Sequence, residues 1–308
     1  MRILNVGLMC GSENGFTAAM RRIAPQGYMH MPCYHGSFNQ DLLREAAIFK
    51  PDLIFLQIQQ ENVISEDTVS QLAQNSFVMN FSGDVREQLP DWYVHIGKHI
   101  NLSTFTNMVD VNRVKNFGIP ADYLEIGFDP EIYKRRPEIQ PVGPAIVAHF
   151  NNYEPAFPLS SYRVDIVNTL KLTFGDNFGI YGNFPEANGN FNSDQKAEAE
   201  NYNRAKIAIN CSHFNFERYS SDRMLRILGS GPMCLSHYYL GIEADYKIGD
   251  HLDTFNDLGE LVEKCKHYLK NEEHRAVIAN AGYHHAHNNF TFDNMAKEII
   301  NLYNKYKK

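Results

Sequence analysis

Hydrophobic residues along this 308-residue chain fall into two kinds of run that alternate. Short unbroken ones at 2–9, 28–33, 53–56, 77–81, 102–105 and 123–126 have the length and density of strands buried on both faces. Between them, 15–23, 39–49, 66–74 and 108–117 carry apolar residues at helical spacing. The pattern breaks between Asp129 and Pro144, where Pro130, Pro137, Pro141 and Pro144 surround Lys134, Arg135 and Arg136. Proline fixes φ and removes a donor, so this stretch reads as a linker. The alternation then restarts, with strands at 145–150, 178–181, 207–210 and 233–236 and helices at 162–174, 194–205 and 221–228. The tail, 258–308, reads as three helices with turns near Asn271 and Asn289. Strand–helix alternation on both sides of a proline-rich link predicts an α/β protein of two Rossmann-like domains, 1–142 and 143–290, with a cleft between them and a further segment 291–308.

Composition narrows the partners. At 44% hydrophobic the chain is too apolar for disorder, and its formal charge of −7 provides no global positive field for nucleic acid or an anionic membrane. DNA would need a local patch of residues such as Arg21, Arg22, Arg113 and Lys115. No apolar stretch approaches the roughly 18 residues of a membrane span, and Met1-Arg2 runs straight into Ile3-Leu4 without a secretory leader pattern, which points to a cytoplasmic protein. Five scattered cysteines, Cys10, Cys33, Cys211, Cys234 and Cys265, without C-x-x-C spacing read as reduced, mostly buried thiols. His284 and His287 share a helical face but sit at a helix end, where the dipole favours histidine, so no metal site is expected of them.

Ligands of open α/β sheets bind beyond the carboxyl ends of the strands, so the loops there hold the candidate chemistry. In the first domain, Gly11, Ser12 and Glu13 occupy a strand-to-helix turn that either brings backbone close to a sugar or phosphate or is a tight turn only. Asp84 follows the strand 77–81, and a carboxylate there would take a proton from an acceptor hydroxyl, with Arg86 orienting it or holding a phosphate. Ser82 or Asp84 capping a helix is the competing reading. Trp92-Tyr93 would either pack in the core or stack on an acceptor ring. In the second domain, Ser221 or Asp222 would cap a helix whose positive dipole end, flanked by Arg218 and Arg223, suits a diphosphate. Arg226 shares a face with Arg223, and Asn151, Asn152, Gly182 and Asn183 follow strands of the same domain.

Five segments carry a family resemblance: YNRAKIAIN at 202–210, RMLRILGSG at 223–231, LGELVEKCKHYL at 258–269, EHRAVIANAG at 273–282 and NFTF at 289–292. Together they resemble the donor-binding half of glycosyltransferases of the B fold, in particular the CgeB-like family, and IGFDPEIY at 126–133 resembles the handover between that family's two domains. Arg163 stands where the family commonly has an arginine. The resemblance implies a nucleoside-diphosphate sugar as co-substrate bound by the second domain, the acceptor on the first, and a final helix crossing back to the first domain. It admits modified DNA bases among the acceptors. No Asp-x-Asp pair occurs, so transfer without a metal or resident cofactor is expected. One position departs: the family's glutamate for the donor ribose is Arg226 here, so Glu217, Asp222 or another residue serves the ribose, or donor binding has been lost. Retaining enzymes with paired glutamates would have them at Arg218 and Arg226, so those catalytic assignments do not transfer. The expected activity is glycosyl transfer; an inactive sugar-nucleotide-binding protein and a nucleotide-sugar epimerase are the alternatives.

Overall fold

The structure, a computed structural model, describes residues 1–7, 15–33, 36–191 and 194–307 and divides into two units, Met1–Asp129 with Phe292–Lys308, and Pro130–Thr291. Gly11, Ser12 and Glu13 lie outside the described residues.

The first unit holds β1 (Arg2–Val6), β2 (Gly27–Met31), β3 (Leu53–Leu56), β4 (Phe77–Ser82), β5 (Leu102–Phe105) and β6 (Ala121–Tyr123). They form one parallel sheet in the order β2-β1-β3-β4-β5-β6. Helices α1 (Phe16–Arg22), α2 (Phe38–Phe49), α3 (Glu66–Ala73), α4 (Asp91–Gly97) and α5 (Met108–Lys115) alternate with the strands. In β3, Leu53 and Phe55 enter one core while Ile54 and Leu56 enter the other, which is why this strand reads as an unbroken apolar run. Helix starts follow local chemistry: Ser65 Oγ accepts from the Thr68 N–H at 3.1 Å, and Asn107 Oδ1 from the Asp110 N–H at 2.8 Å.

The second unit places β7 (Ile146–His149), β8 (Phe178–Tyr181), β9 (Ile207–Asn210), β10 (Met233–His237) and β11 (Asp253–Phe255) in a parallel sheet of order β11-β10-β9-β7-β8. Helices α6 (Ser160–Phe174), α7 (Gln195–Arg204), α8 (Asp222–Ser230), α9 (Leu258–Lys270) and α10 (Glu272–Asn289) cover it. The proline-rich stretch after Asp129 is built into this unit: the Arg136 N–H donates to Asn203 Oδ1 at 2.7 Å and the Arg135 guanidinium lies 4.3 Å over the Tyr283 ring.

The last helix, α11 (Phe292–Tyr306), packs in the first unit. Its buried stripe Met295, Ala296, Ile299, Leu302 and Tyr303 has helical spacing, and Asp293 and Lys305 pair with Arg22 and Asp122 at 2.8 and 2.7 Å. Gly127 permits the approach, since a Cβ there would lie 2.8 Å from the Phe292 backbone.

Three elements differ from the sequence reading. Strand β6 occupies 121–123 instead of 123–126; beyond Tyr123 the Glu125 carboxylate takes the Ile126 N–H and the Tyr123 hydroxyl. Helix α4 and strand β11 have no counterpart in it. Trp92 and Tyr93 stack on each other in α4 at 3.9 Å and are buried, so they pack the core instead of offering a ring to an acceptor. No helix among the described residues is long and apolar enough to cross a membrane.

Candidate functional site

In a sheet of order 2-1-3-4-5, the connections leave in opposite directions from the first and third strands and open a crevice at their carboxyl ends. In the second unit those strands are β7 and β9, followed by Phe150-Asn151 and Cys211-Ser212-His213. Two arginines converge on the Phe150 ring. Arg163, in the first turn of α6, is 1% exposed with its guanidinium 4.4 Å from the ring centroid. Arg223, in the first turn of α8, lies 5.4 Å from the same centroid.

Neither has a carboxylate within ion-pair distance among the described residues. Arg163 Nη1 donates to the His213 ring, 2.7 and 2.5 Å from its two nitrogens, while Nε and Nη2 are buried without a hydrogen-bond partner among the described residues. Arg223 reaches only the Cys211 carbonyl and Ser221 Oγ, both at 3.4 Å. Burial, helped by the Arg223 charge, pushes the Arg163 guanidinium down to about 9, and burial with both arginines holds His213 at about 3. Two guanidinium groups with no carboxylate partner among the described residues make this end of the sheet a concentration of positive charge. The start of α8 adds to this field: its N-cap, Ser221, turns its hydroxyl to Asn210 Oδ1 at 3.0 Å and leaves the first-turn N–H groups without a side-chain cap.

Arg223 lines a cavity of about 260 Å³ whose walls also include His149, Asn151, Tyr181, Gly182, Glu198, Asp222 and Arg226; Arg163, on the other contact with the Phe150 ring, is not among the wall residues. Glu198 anchors its floor. Tyr133 donates to it at 2.6 Å, Arg226 at 3.4 Å, and His149 Nδ1 lies 3.5 Å away. Burial alone would push the Glu198 carboxyl up, but the His149 contact, the Arg226 charge and the Tyr133 hydroxyl outweigh it and hold Glu198 at about 2. Gly182 closes one wall. Its φ is +128°, and a Cβ would lie 1.9 Å from the Phe150 carbonyl oxygen.

The residues singled out in the sequence divide clearly. Asn151, Gly182, Asp222, Arg223 and Arg226 line the cavity, and Asn152 and Asn183 bond the two loops behind it, the Asn183 amide donating to the Asn152 carbonyl at 3.3 Å. Arg226 pairs with Asp222 and Glu198, so its charge is compensated in place. Arg218 is held by Asp245 through two bonds of 2.8 and 2.7 Å and does not reach the cavity. In the first unit, Asp84 is exposed at the carboxyl end of β4, its carboxylate 3.8 Å from Arg86, and its N–H donates to Gln59 Oε1 at 2.7 Å. Neither Ser82 nor Asp84 caps a helix, since α4 begins after Pro90 and Ser82 Oγ bonds the Tyr93 hydroxyl at 2.7 Å. His213, Glu198, His149 and Tyr133 were not among the residues singled out.

Glu198 and His213 should make the second unit acid-sensitive. Both hold folded-state values below their ordinary ones, so between about 3 and 6.5 for His213, and about 2 and 4.5 for Glu198, the unfolded chain binds more protons. The contribution of these two groups is full above pH 6.5 and is lost as the pH drops through both windows. Urea midpoints of the chain should decline from pH 7 to pH 4, and His213→Gln should flatten the upper part of that decline. A midpoint that holds steady to pH 4 would contradict the burial of these two groups.

Residues 163–301 match the glycosyl transferase-like family model. That match spans most of the second unit, from Arg163 to its end, and the start of α11. No curated protein matches the sequence. Among solved structures, a glycosyltransferase from Rickettsia africae is similar with a TM-score of 0.70 and 11% identity, covering 100% of this chain and 98% of that one. Anabaena HepE in complex with UDP-glucose gives 0.67 and 11%, covering 99% and 100%. Sucrose-phosphate synthase from Thermosynechococcus elongatus gives 0.64 and 10%, covering 99% and 98%. At such identities the likeness is one of fold: two parallel α/β units of the glycosyltransferase B type. The glycosyltransferase family match begins on Arg163 itself and runs through the cavity walls contributed by α7 and α8.

Proposed function

We propose that the protein transfers a sugar from a nucleoside-diphosphate sugar to an acceptor hydroxyl. The observation that carries this reading is the uncompensated pair Arg163 and Arg223 at the β7/β9 switch point, with Arg223 lining a cavity large enough for part of a nucleotide sugar. Fixed positive charge placed where a leaving group becomes negative lowers the barrier without reorganisation, and two guanidinium groups supply charge that a divalent ion supplies elsewhere. This supports metal-independent transfer. The UDP-glucose held by HepE supports the donor class.

The diphosphate role falls to Arg163 and Arg223, with Ser221 and the start of α8 behind them. Arg226 and Arg218 become structural cations, since carboxylates already hold both. At position 226, where the resembled family has a glutamate, the arginine's pairing with Asp222 and Glu198 supports a structural role in place of ribose recognition. Within the broad family, the motifs at 202–210 and 223–231 favour the CgeB-like branch. Of the four cations suited to a DNA patch, Arg22 and Arg113 are paired with Asp293 and Asp110, which favours a small acceptor over DNA.

We assign acceptor deprotonation to Asp84. Asp84→Asn keeps the shape and removes the base, so turnover should fall by roughly 10²–10⁴ with donor affinity unchanged. A near-normal rate would remove Asp84 from the mechanism. The test of the function is a panel of nucleotide sugars incubated with the protein and candidate acceptors, read by mass spectrometry. Transfer, or slow donor hydrolysis without an acceptor, supports the proposal. Binding without turnover would indicate a sugar-nucleotide-binding protein, and isomerised sugar an epimerase.

A further inference from the structure

The arginines of the second unit are held in two different ways. Arg218 and Arg226 are fixed by carboxylates, Asp245 for one, Asp222 and Glu198 for the other, and orientation there costs them their free charge. Arg163 is fixed as firmly, buried to 1% exposure over Phe150, yet the group that takes its Nη1 bond is an imidazole. That ring is half-buried among aromatic neighbours. Tyr153 and Phe157 flank it with centroids at 5.3 and 4.7 Å, and the His213 carbonyl accepts the Leu159 N–H at 3.1 Å, tying it to the start of α6. Two further donors of Arg163, Nε and Nη2, are left buried and unpartnered. A neutral imidazole offers one lone pair and no charge, so it accepts a guanidinium hydrogen without cancelling the cation.

We propose that His213 is a positioning residue for donor binding: it aims the Arg163 guanidinium through a neutral acceptor so that the full positive charge stays available to the diphosphate. This rests on the diphosphate reading of the site. Its distinguishing consequence is that charge at position 213, more than packing, sets how strongly the protein prefers a nucleoside diphosphate to the bare nucleoside. His213→Gln restores a neutral acceptor, His213→Leu fills space without one, and His213→Glu offers a carboxylate that would spend the Arg163 charge as Asp245 spends that of Arg218.

The experiment titrates the full chain and these three variants with UDP and with uridine, alongside thermal unfolding. Wild type should prefer UDP. His213→Glu should lose UDP affinity by about 10-fold or more with uridine affinity unchanged and unfolding at or above the wild-type temperature, because the new ion pair stabilises the fold while it disables the site. His213→Gln should stay within about threefold of wild type for both ligands, and His213→Leu should fall between. His213→Glu binding UDP as wild type does would overturn the inference, as would Gln and Leu behaving alike if the Glu variant fails to fold. Absence of UDP preference in wild type would instead overturn the diphosphate reading, leaving the two failures distinguishable.

Discussion

Arg163→Met should weaken binding of a nucleoside diphosphate by at least about 10²-fold while leaving the fold as stable as before, or more so. The affinity figure follows from two buried donors, Nε and Nη2, each a charge-assisted bond worth about 1.5–3 kcal/mol once an anion accepts it. The stability figure follows from the same facts read without ligand. A guanidinium 1% exposed, facing a second cation and lacking a carboxylate partner among the described residues, is an uncompensated buried charge, and an apolar chain of similar length removes that cost. Most buried arginines hold their surroundings together, so loss of function with gain of stability separates a ligand-binding role from a structural one. Measurement requires calorimetric titration and urea unfolding of the same preparation. Loss of stability together with unchanged affinity would mean that Arg163 serves packing only.

Glu198→Ala should have the opposite signature, a loss of about 3–5 kcal/mol of stability, the range for breaking a buried ionic cluster from one side. The carboxylate is the shared acceptor for Tyr133, Arg226 and Tyr202, so its removal strands buried donors on α8, α7 and the chain leading into β7 at once. Arg226 keeps Asp222, and the Gln amide oxygen still accepts from the Tyr133 hydroxyl, so Glu198→Gln should cost much less than Ala. Urea denaturation reads the difference directly. A cost under about 1 kcal/mol for Glu198→Ala would show that the cluster does not anchor the cavity floor.

Much of this architecture was legible in the sequence because parallel sheets bury both strand faces and announce themselves as apolar runs. The elements that escaped are those without that signal. Strand β11 has three residues and opens on Asp253, whose carboxylate takes the Tyr268 hydroxyl at 2.7 Å, and α4 is seven residues long behind a proline. The site was half legible. Arg223 stood out beside a serine cap, but Arg218 and Arg226 stood out equally, and sequence spacing does not show that Asp245, Asp222 and Glu198 reach across to them. Arg163 entered the sequence reading through the family resemblance alone, yet a physical signal was present: it lies within the buried stripe Ser160, Arg163, Ile166, Val167 and Leu170, a charge where the helical pattern calls for an apolar residue. Glu198 sits likewise on the buried face of α7 with Asn201 and Tyr202. A cation in core register, unlike one on a surface face, needs a partner, and the chain supplies Arg163 with none of opposite charge among the described residues.

The most direct measurement is a calorimetric titration of the unmodified protein with a series that differs only in phosphate: uridine, UMP, UDP and UDP-glucose, with the corresponding members of other bases where uridine fails. If Arg163 and Arg223 form a diphosphate site, affinity should rise steeply from nucleoside to diphosphate, by about 10²-fold or more, and should need no added divalent ion. Equal affinity across the series, or binding that tracks the base and ignores the phosphates, would contradict it.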